Sequence, residues 1–326
     1  MAIKRWMLPD GMEEALPPVS WQLEDLRRKL LDHYRQAGYE LIFPPLVEHL
    51  DTLLTGAGSD LESQTFKFTD PASGRLLGLR ADMTPQAARI AARRYEGAEH
   101  VRLCYLGTVL RTSPDSQGGA RSPRQVGCEL FGLPELDADL EVLSLMIKTL
   151  ELAGVGPIHL DLGHVGIYRA LSAQLGLDAD DESALFEILQ RKSHPDLAEF
   201  AASSRLDGVY EALSSLMDLN GDIGVLARAR QVLAAAGEGV QQALATLERT
   251  AMELQRSFPN VTIHFDLAEL RGLRYHTGLV FAAFVPGHGR EIARGGRYDG
   301  VGAEFGRPLS ATGFSADMNE LLKLGS

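Results

Sequence analysis

Four separated stretches of the chain carry side chains whose types and spacing suit one kind of chemistry. They are Asp82 with Thr84; Arg111, Gln125 and Glu129; Arg271, Tyr275 and His276; and Gly295, Gly296, Arg297 and Tyr298. Carboxylates accept hydrogen bonds from an ammonium, and guanidinium groups clasp a carboxylate. Such a set over a sheet fits a zwitterionic ligand. Each stretch also has a plainer explanation. Arg271 can pair with Glu269 or Asp266, Gly295–Gly296 can form a turn, His276 can be a hydrogen-bonded structural histidine, and Thr84 can cap a helix opened by Pro85.

The element best placed to position these groups is Arg102–Gly132, RLCYLGTVLRTSPDSQGGARSPRQVGCELFG. Two apolar runs, Leu103–Leu110 and Gln125–Phe131, flank a middle rich in Ser, Pro, Asp and Gly, the pattern of a hairpin with a long loop. Strand side chains alternate faces, so Gln125 and Glu129 share one face. An amide and a carboxyl buried there without partners would cost several kcal/mol, on the order of the desolvation penalty of such groups. Two readings stand side by side: an edge hairpin with one wet face, in which Arg111 pairs with Glu129, or a polar pocket floored by a sheet. Cys104 and Cys128 fall on the opposite alternation, as reduced core thiols; two cysteines provide neither a disulfide framework nor metal-ligand spacing.

Around the hairpin, Ser20–Ala37 has helical periodicity, ended by Gly38. Tyr39–Val47 reads as a strand whose Pro44 and Pro45 confine it to an edge or a dimer seam. Short strands are expected at Thr65–Thr69 and Leu76–Leu79, and Arg80–Thr84 leads into a helix reaching about Tyr95. Further on come a helix at Ala138–Leu152 and strands at Ile158–Leu162, Val261–Leu267, Leu279–Val285, Glu291–Ala293 and Ala311–Phe314. Asp317–Leu324 closes as a helix. From about Tyr168 to Ser257 no strand-like run occurs, which predicts an all-helical insertion over 168–257 within a core built from 1–167 and 258–326. The fold class expected is α+β, a mostly antiparallel sheet flanked by helices.

With 32 basic against 44 acidic residues, the net charge of −12 makes extended contact with a phosphate backbone a poor fit. No apolar run reaches the ~18 residues of a membrane span. The opening residues lack the apolar stretch of a secretory signal, so a cytoplasmic location is expected. No GxGxxG or GxxxxGK[ST] fingerprint follows a strand, which argues against a dinucleotide fold or a P-loop.

The motifs together resemble the catalytic domain of class II histidyl-tRNA synthetases over nearly the whole chain. YLGTVLRTSPDSQGGARSPRQVGCELFG at 105–132 is similar to that family's motif 2, and GYELIFPPLVE at 38–48 to the dimer-forming motif 1. LRADMT at 79–84 resembles its LRPEGT stretch and LRGLRYHTGLVF at 270–281 its histidine-specific RGLDYY stretch. ARGGRYDG at 293–300 resembles its glycine-rich strand, and ATGFSADMNELLKL at 311–324 stands where motif 3 falls. The resemblance implies a histidine-binding set of Asp82, Thr84, Arg111, Gln125, Glu129, Arg271, Tyr275 and Tyr298. Arg274 and His276 depart from it, standing in place of an aspartate and a tyrosine.

The nucleotide side departs further. Ser113 replaces the glutamate that holds adenine, Pro123 replaces the phenylalanine on which it stacks, and Asp317 stands for a glycine. Glu320 replaces the motif 3 arginine, reversing the charge where ATP phosphates require a cation. No anticodon-binding domain is expected beyond motif 3. This combination resembles the regulatory subunits of ATP phosphoribosyltransferase, synthetase paralogues without aminoacylation activity. That resemblance implies a non-catalytic subunit of a glycosyltransferase in the first step of histidine biosynthesis. It also implies a short-form catalytic subunit as partner, self-association through 38–48, histidine as effector, no cofactor, no metal, no tRNA and no membrane. Two rivals are a truncated synthetase-like enzyme that activates histidine with ATP, and a scaffold whose pocket has decayed.

Overall fold

The computed structural model describes residues 7–55, 59–114, 119–134, 136–203, 206, 208–270 and 275–325. The chain divides into two compact units, one of Met1–Pro134, Leu145–Gly156 and Asp299–Ser326, the other of Glu135–Ser144 and Pro157–Tyr298.

The first unit opens with α1 (Val19–Gln36), whose Leu23, Leu26, Leu30 and Tyr34 recur at three- and four-residue spacing and are buried. The strand expected at Tyr39–Val47 is two separate pieces, β1 (Glu40–Leu41) and β2 (Val47–His49). The prolines cause the break, because they have no N–H to donate to a ladder. Their carbonyls are taken by side chains instead: Arg80 Nη1 donates to Pro44 O at 2.7 Å and Gln86 Nε2 to Pro45 O at 2.8 Å. β1 runs parallel to the hairpin, whereas β2 belongs to a small sheet with β3 and β4. Two short helices, α2 (Leu50–Leu54) and α3 (Ser59–Gln64), precede β3 (Lys67–Thr69) and β4 (Leu76–Leu79), and α4 (Thr84–Arg94) follows them.

The hairpin is present as β5 (Val101–Thr108) and β6 (Arg124–Phe131), antiparallel, with Leu103 opposite Glu129, Tyr105 opposite Gly127 and Gly107 opposite Gln125. Cys104 and Cys128 face each other in that register, both buried and free. Their face meets Tyr34, whose hydroxyl is 3.0 Å from Thr149 Oγ1 and whose pKa is driven well above 10 by burial and then by Cys128. Thr149 lies on α5 (Leu136–Leu152).

In the second unit β7 (His159–His164) leads into α6 (Val165–Ser172). Four helices follow, α7 (Ala179–Gln190), α8 (His194–Ser203), α9 (Tyr210–Asp218) and, after β8 (Asn220–Gly221), α10 (Gly224–Val232). Then α11 (Glu238–Ser257) buries Val240, Leu244, Leu247, Ala251 and Leu254 against α6 and β7. The region read as all-helical therefore contains one two-residue strand, too short for any sequence pattern to reveal. β9 (Thr262–Asp266) pairs parallel with β7 and antiparallel with β8. β10 (Leu279–Phe284) lies antiparallel to β7 on its other side, and β11 (Ala293–Arg297) antiparallel to β10.

Gly295 and Gly296 are thus strand residues rather than a turn. Close approach demands glycine here, since a Cβ on Gly296 would lie 2.6 Å from Leu279 O and 3.0 Å from His276 Nε2. Back in the first unit, β12 (Ala311–Asp317) pairs antiparallel with β6, and α12 (Met318–Leu324) ends the described chain.

Candidate functional site

The first unit holds five of the expected residues, and four of them, Asp82, Thr84, Gln125 and Glu129, form a polar network with Tyr105. β5 and β6 turn Tyr105, Gln125 and Glu129 to one face, and all three are buried, Glu129 only 1% exposed. Tyr105 Oη donates to Glu129 Oε1 at 2.9 Å and lies 3.1 Å from Thr84 Oγ1. Gln125 Oε1 accepts from the Met83 N–H at 2.9 Å, and Gln125 Nε2 donates to Asp82 Oδ1 at 2.9 Å. The same Asp82 oxygen accepts from the Thr84 N–H at 2.8 Å. Asp82 therefore supports the start of α4, the task expected of Thr84, and frees the Thr84 hydroxyl for Tyr105. Arg111 Nε donates to Ala81 O at 3.2 Å, and its N–H to Arg121 O at 2.8 Å.

Two glycines make room for this network. A Cβ on Gly127 would lie 2.5 Å from the Tyr105 hydroxyl, and one on Gly313, opposite Glu129 in β12, would overlap the Glu129 carboxyl. Burial, then Glu129 and Asp82, hold the Tyr105 pKa well above 10, so Tyr105 stays a hydrogen-bond donor. Tyr105 was not among the expected residues. Alternation groups Tyr105 with Leu103 and Gly107, and the β5–β6 register puts that set on the same face as Gln125 and Glu129.

The second unit holds Tyr275 and Tyr298, whose rings stack at 4.7 Å and 21°. The His276 ring meets Tyr275 edge-on at 5.6 Å. Next to Tyr298, Arg297 pairs with Asp139: its Nε donates to Asp139 Oδ2 at 3.0 Å, its Nη2 lies 3.0 Å from Asp139 Oδ1, and both side chains are buried. His164 Nδ1 accepts the Gly166 N–H at 3.1 Å, capping α6. Burial and then Arg297 push the His164 pKa down to about 4, so its imidazole is neutral near pH 7. Arg271 and Arg274 lie outside the described residues.

The residues that the resemblance aligns with a nucleotide site serve the chain itself. Asp317 caps α12, accepting from the Asn319 N–H at 2.9 Å, and also accepts from the Arg124 N–H at 3.2 Å. Arg124 Nη1 donates to Asn319 Oδ1 at 2.8 Å. Burial raises the Asp317 pKa. Glu320 accepts from Lys323 at 3.1 Å, and Lys323 also reaches Glu13 at 3.6 Å. Pro123 is buried and its carbonyl receives the Val109 N–H at 3.1 Å. A negatively charged group placed beside Asp317 and Glu320 would meet two acidic side chains. Among the described residues no group of three or more His, Cys, Asp or Glu could hold a metal ion.

A family model described as histidyl-tRNA synthetase matches residues 11–321. The chain is 56% identical over 323 residues to the ATP phosphoribosyltransferase regulatory subunit of Thioalkalivibrio sulfidiphilus, covering 98% of this chain and 81% of that protein. It is 54% identical to the protein of the same name from Methylococcus capsulatus, covering 98% and 79%. The chain belongs to the ATP phosphoribosyltransferase regulatory subunit family, within the histidyl-tRNA synthetase-like group. A solved Bacillus halodurans chain, described as an ATP phosphoribosyltransferase regulatory subunit/histidyl-tRNA synthetase, superposes with a TM-score of 0.85 at 29% identity, covering 99% of this chain and 84% of that one. The ATP phosphoribosyl transferase (HisG:HisZ) complex of Thermotoga maritima matches at TM-score 0.67 and 21% identity, over 90% of this chain and 96% of that one. The fold of this regulatory-subunit family member is that of the class II synthetase catalytic domain. No helix among the described residues is long and apolar enough to cross a membrane.

Proposed function

We propose that this chain is the non-catalytic regulatory subunit of ATP phosphoribosyltransferase, required for the first step of histidine biosynthesis and responsive to histidine. One contrast carries the reading. The Asp82–Gln125 and Thr84–Tyr105–Glu129 network is intact, while Asp317 and Glu320 occupy the nucleotide positions with negative charge and are tied into α12. Chemistry on ATP needs positive charge at the phosphates, so this chain activates no amino acid and performs no phosphoribosyl transfer. The transferase chemistry belongs to a short-form catalytic partner.

Histidine is the effector, with Asp82, Thr84, Arg111, Gln125, Glu129, Arg271, Tyr275 and Tyr298 as its binding set. The core is the synthetase-like body of 1–167 and 258–326, with 168–257 as its insertion. Self-association through 38–48 is supported by the exposed side chains of Leu41, Phe43 and Leu46. Effector binding is reciprocal: whatever factor histidine imposes on the partner's substrate affinity, the substrates impose on histidine affinity.

The test is calorimetric titration of histidine into the chain, alone and with the catalytic subunit. Saturable heat in either sample and no histidine-dependent exchange of pyrophosphate into ATP are expected. Measurable exchange would establish the synthetase-like enzyme instead, and a flat titration in both samples would reduce the role to partner activation.

A further inference from the structure

The stretch Arg80–Gln86 is bound to the 38–48 segment at both of its ends and to the polar network in its middle. At the first end Arg80 is buried, and its guanidinium clasps two backbone carbonyls. Nη1 donates to Pro44 O at 2.7 Å and Nε to Thr108 O at 2.9 Å. The Arg80 N–H donates to Leu46 O at 3.0 Å, and its own carbonyl accepts the Leu110 N–H at 2.9 Å. At the other end, the buried Gln86 amide spends its donor group on the same segment. Nε2 donates to Pro45 O at 2.8 Å and to Glu48 Oε1 at 2.7 Å. Arg89, further along α4, donates to the same Glu48 oxygen.

Between these ties lie the contacts of the network itself. The Met83 N–H and the Asp82 carboxylate hold the Gln125 amide from both sides, and the Thr84 hydroxyl meets Tyr105. Ala81 O accepts from Arg111. Arg80 also reaches the hairpin next to Gln125: a Cβ on Gly107, which stands opposite Gln125, would lie 2.6 Å from Arg80 Nη2. The acceptors Pro44, Pro45 and Leu46 adjoin or carry side chains that lie in the open, Phe43 at 71% exposure and Leu46 at 48%. The proline rings fix φ at 44 and 45, which leaves fewer backbone rotations to absorb a shift of this segment.

We propose that Arg80 and Gln86 are positioning residues that couple self-association to histidine affinity. A second copy of this chain seated on Phe43 and Leu46 fixes the backbone of 44–48. Through Arg80 and Gln86 that backbone sets Asp82, Met83 and Thr84 against Gln125 and Tyr105. The inference rests on the reading of 38–48 as the self-association surface and of the network as part of a histidine site. Coupling is reciprocal, so histidine must tighten self-association by the factor by which self-association tightens histidine binding.

The experiment measures self-association by analytical ultracentrifugation, with and without saturating histidine, and histidine affinity by calorimetry. It compares the parent chain with Phe43→Asp, Arg80→Met and Gln86→Met. In the parent, histidine should tighten self-association about five-fold, the lower end of the range for coupled sites. Phe43→Asp should be monomeric, with histidine affinity about five-fold below the parent. Arg80→Met and Gln86→Met should still associate and still bind histidine, with neither process altering the other. A purely structural role would weaken both processes and leave their linkage in place. Gln86→Met carries the comparison by itself where loss of the Arg80 clasp prevents folding.

A parent that associates and binds histidine with no linkage between the two overturns the inference. So does a monomeric Phe43→Asp with parental histidine affinity, or a Gln86→Met chain that keeps the full linkage. A parent that gives no histidine heat refutes the site reading, and one that stays monomeric at every concentration refutes the self-association reading; either result removes the coupling with it.

Discussion

Replacing Tyr105 with phenylalanine removes one oxygen from the centre of the first unit's polar network and leaves the ring's apolar contacts in place. That oxygen sits 2.9 Å from Glu129 Oε1 and 3.1 Å from Thr84 Oγ1, at a residue with no solvent exposure. Net hydrogen bonds contribute about 1 kcal/mol each, and more to a charged partner, so the variant should lose roughly 2 kcal/mol. For a cooperative unit of this size that corresponds to a drop of about 4–8 °C in Tm. Water cannot readily replace the hydroxyl, because a mere Cβ on Gly127 would already lie 2.5 Å from it.

Thermal unfolding followed by circular dichroism gives the stability, and histidine titration gives the effect on the proposed site. Histidine affinity should weaken along with Tm, since Tyr105 orients both Thr84 and Glu129. A Tyr105→Phe chain that unfolds with the parent and binds histidine equally would refute the argument that this hydroxyl organises the site.

Three further outcomes follow from the same geometry. Gly313→Ala should destabilise the chain strongly in denaturant titrations, because the new Cβ would overlap the Glu129 carboxyl and one side must move. Arg297→Met should cost about 3–5 kcal/mol of unfolding free energy, the expected loss when one partner of a buried ion pair is removed and Asp139 keeps its charge. His164 binds its proton more weakly when folded, with a pKa near 4 against 6.5 unfolded, so its contribution is complete above pH 6.5 and is lost as pH falls toward 4. Over that window the loss approaches about 3 kcal/mol, and His164→Asn, which keeps a capping acceptor for Gly166, should flatten the acid limb of a pH–stability curve.

Much of the site was legible in the chain itself. Alternation with a period of two put Gln125 and Glu129 on one face and Cys104 and Cys128 on the other, because side-chain direction in a strand is set locally. The acidic residue types at Asp317 and Glu320 were equally readable, since residue type does not depend on the fold. The strand around Pro44 and Pro45 was over-read: its apolar composition suggested one element, and the missing N–H groups made it two.

Partner choice was decided only by tertiary structure. Asp139 and Arg297 are 158 residues apart in the chain, and Lys192 and Asp266 are 74 apart. No periodicity reports such pairings, because strand register and helix packing bring the groups together only once the chain has folded. The same holds for Gly127 and Gly313, whose missing side chains matter because Tyr105 and Glu129 arrive from neighbouring strands. Residue types and their alternation told which polar side chains share a face and which face carries the thiols. Long-range register determined which donor meets which acceptor, and so which residues hold the polar network in place.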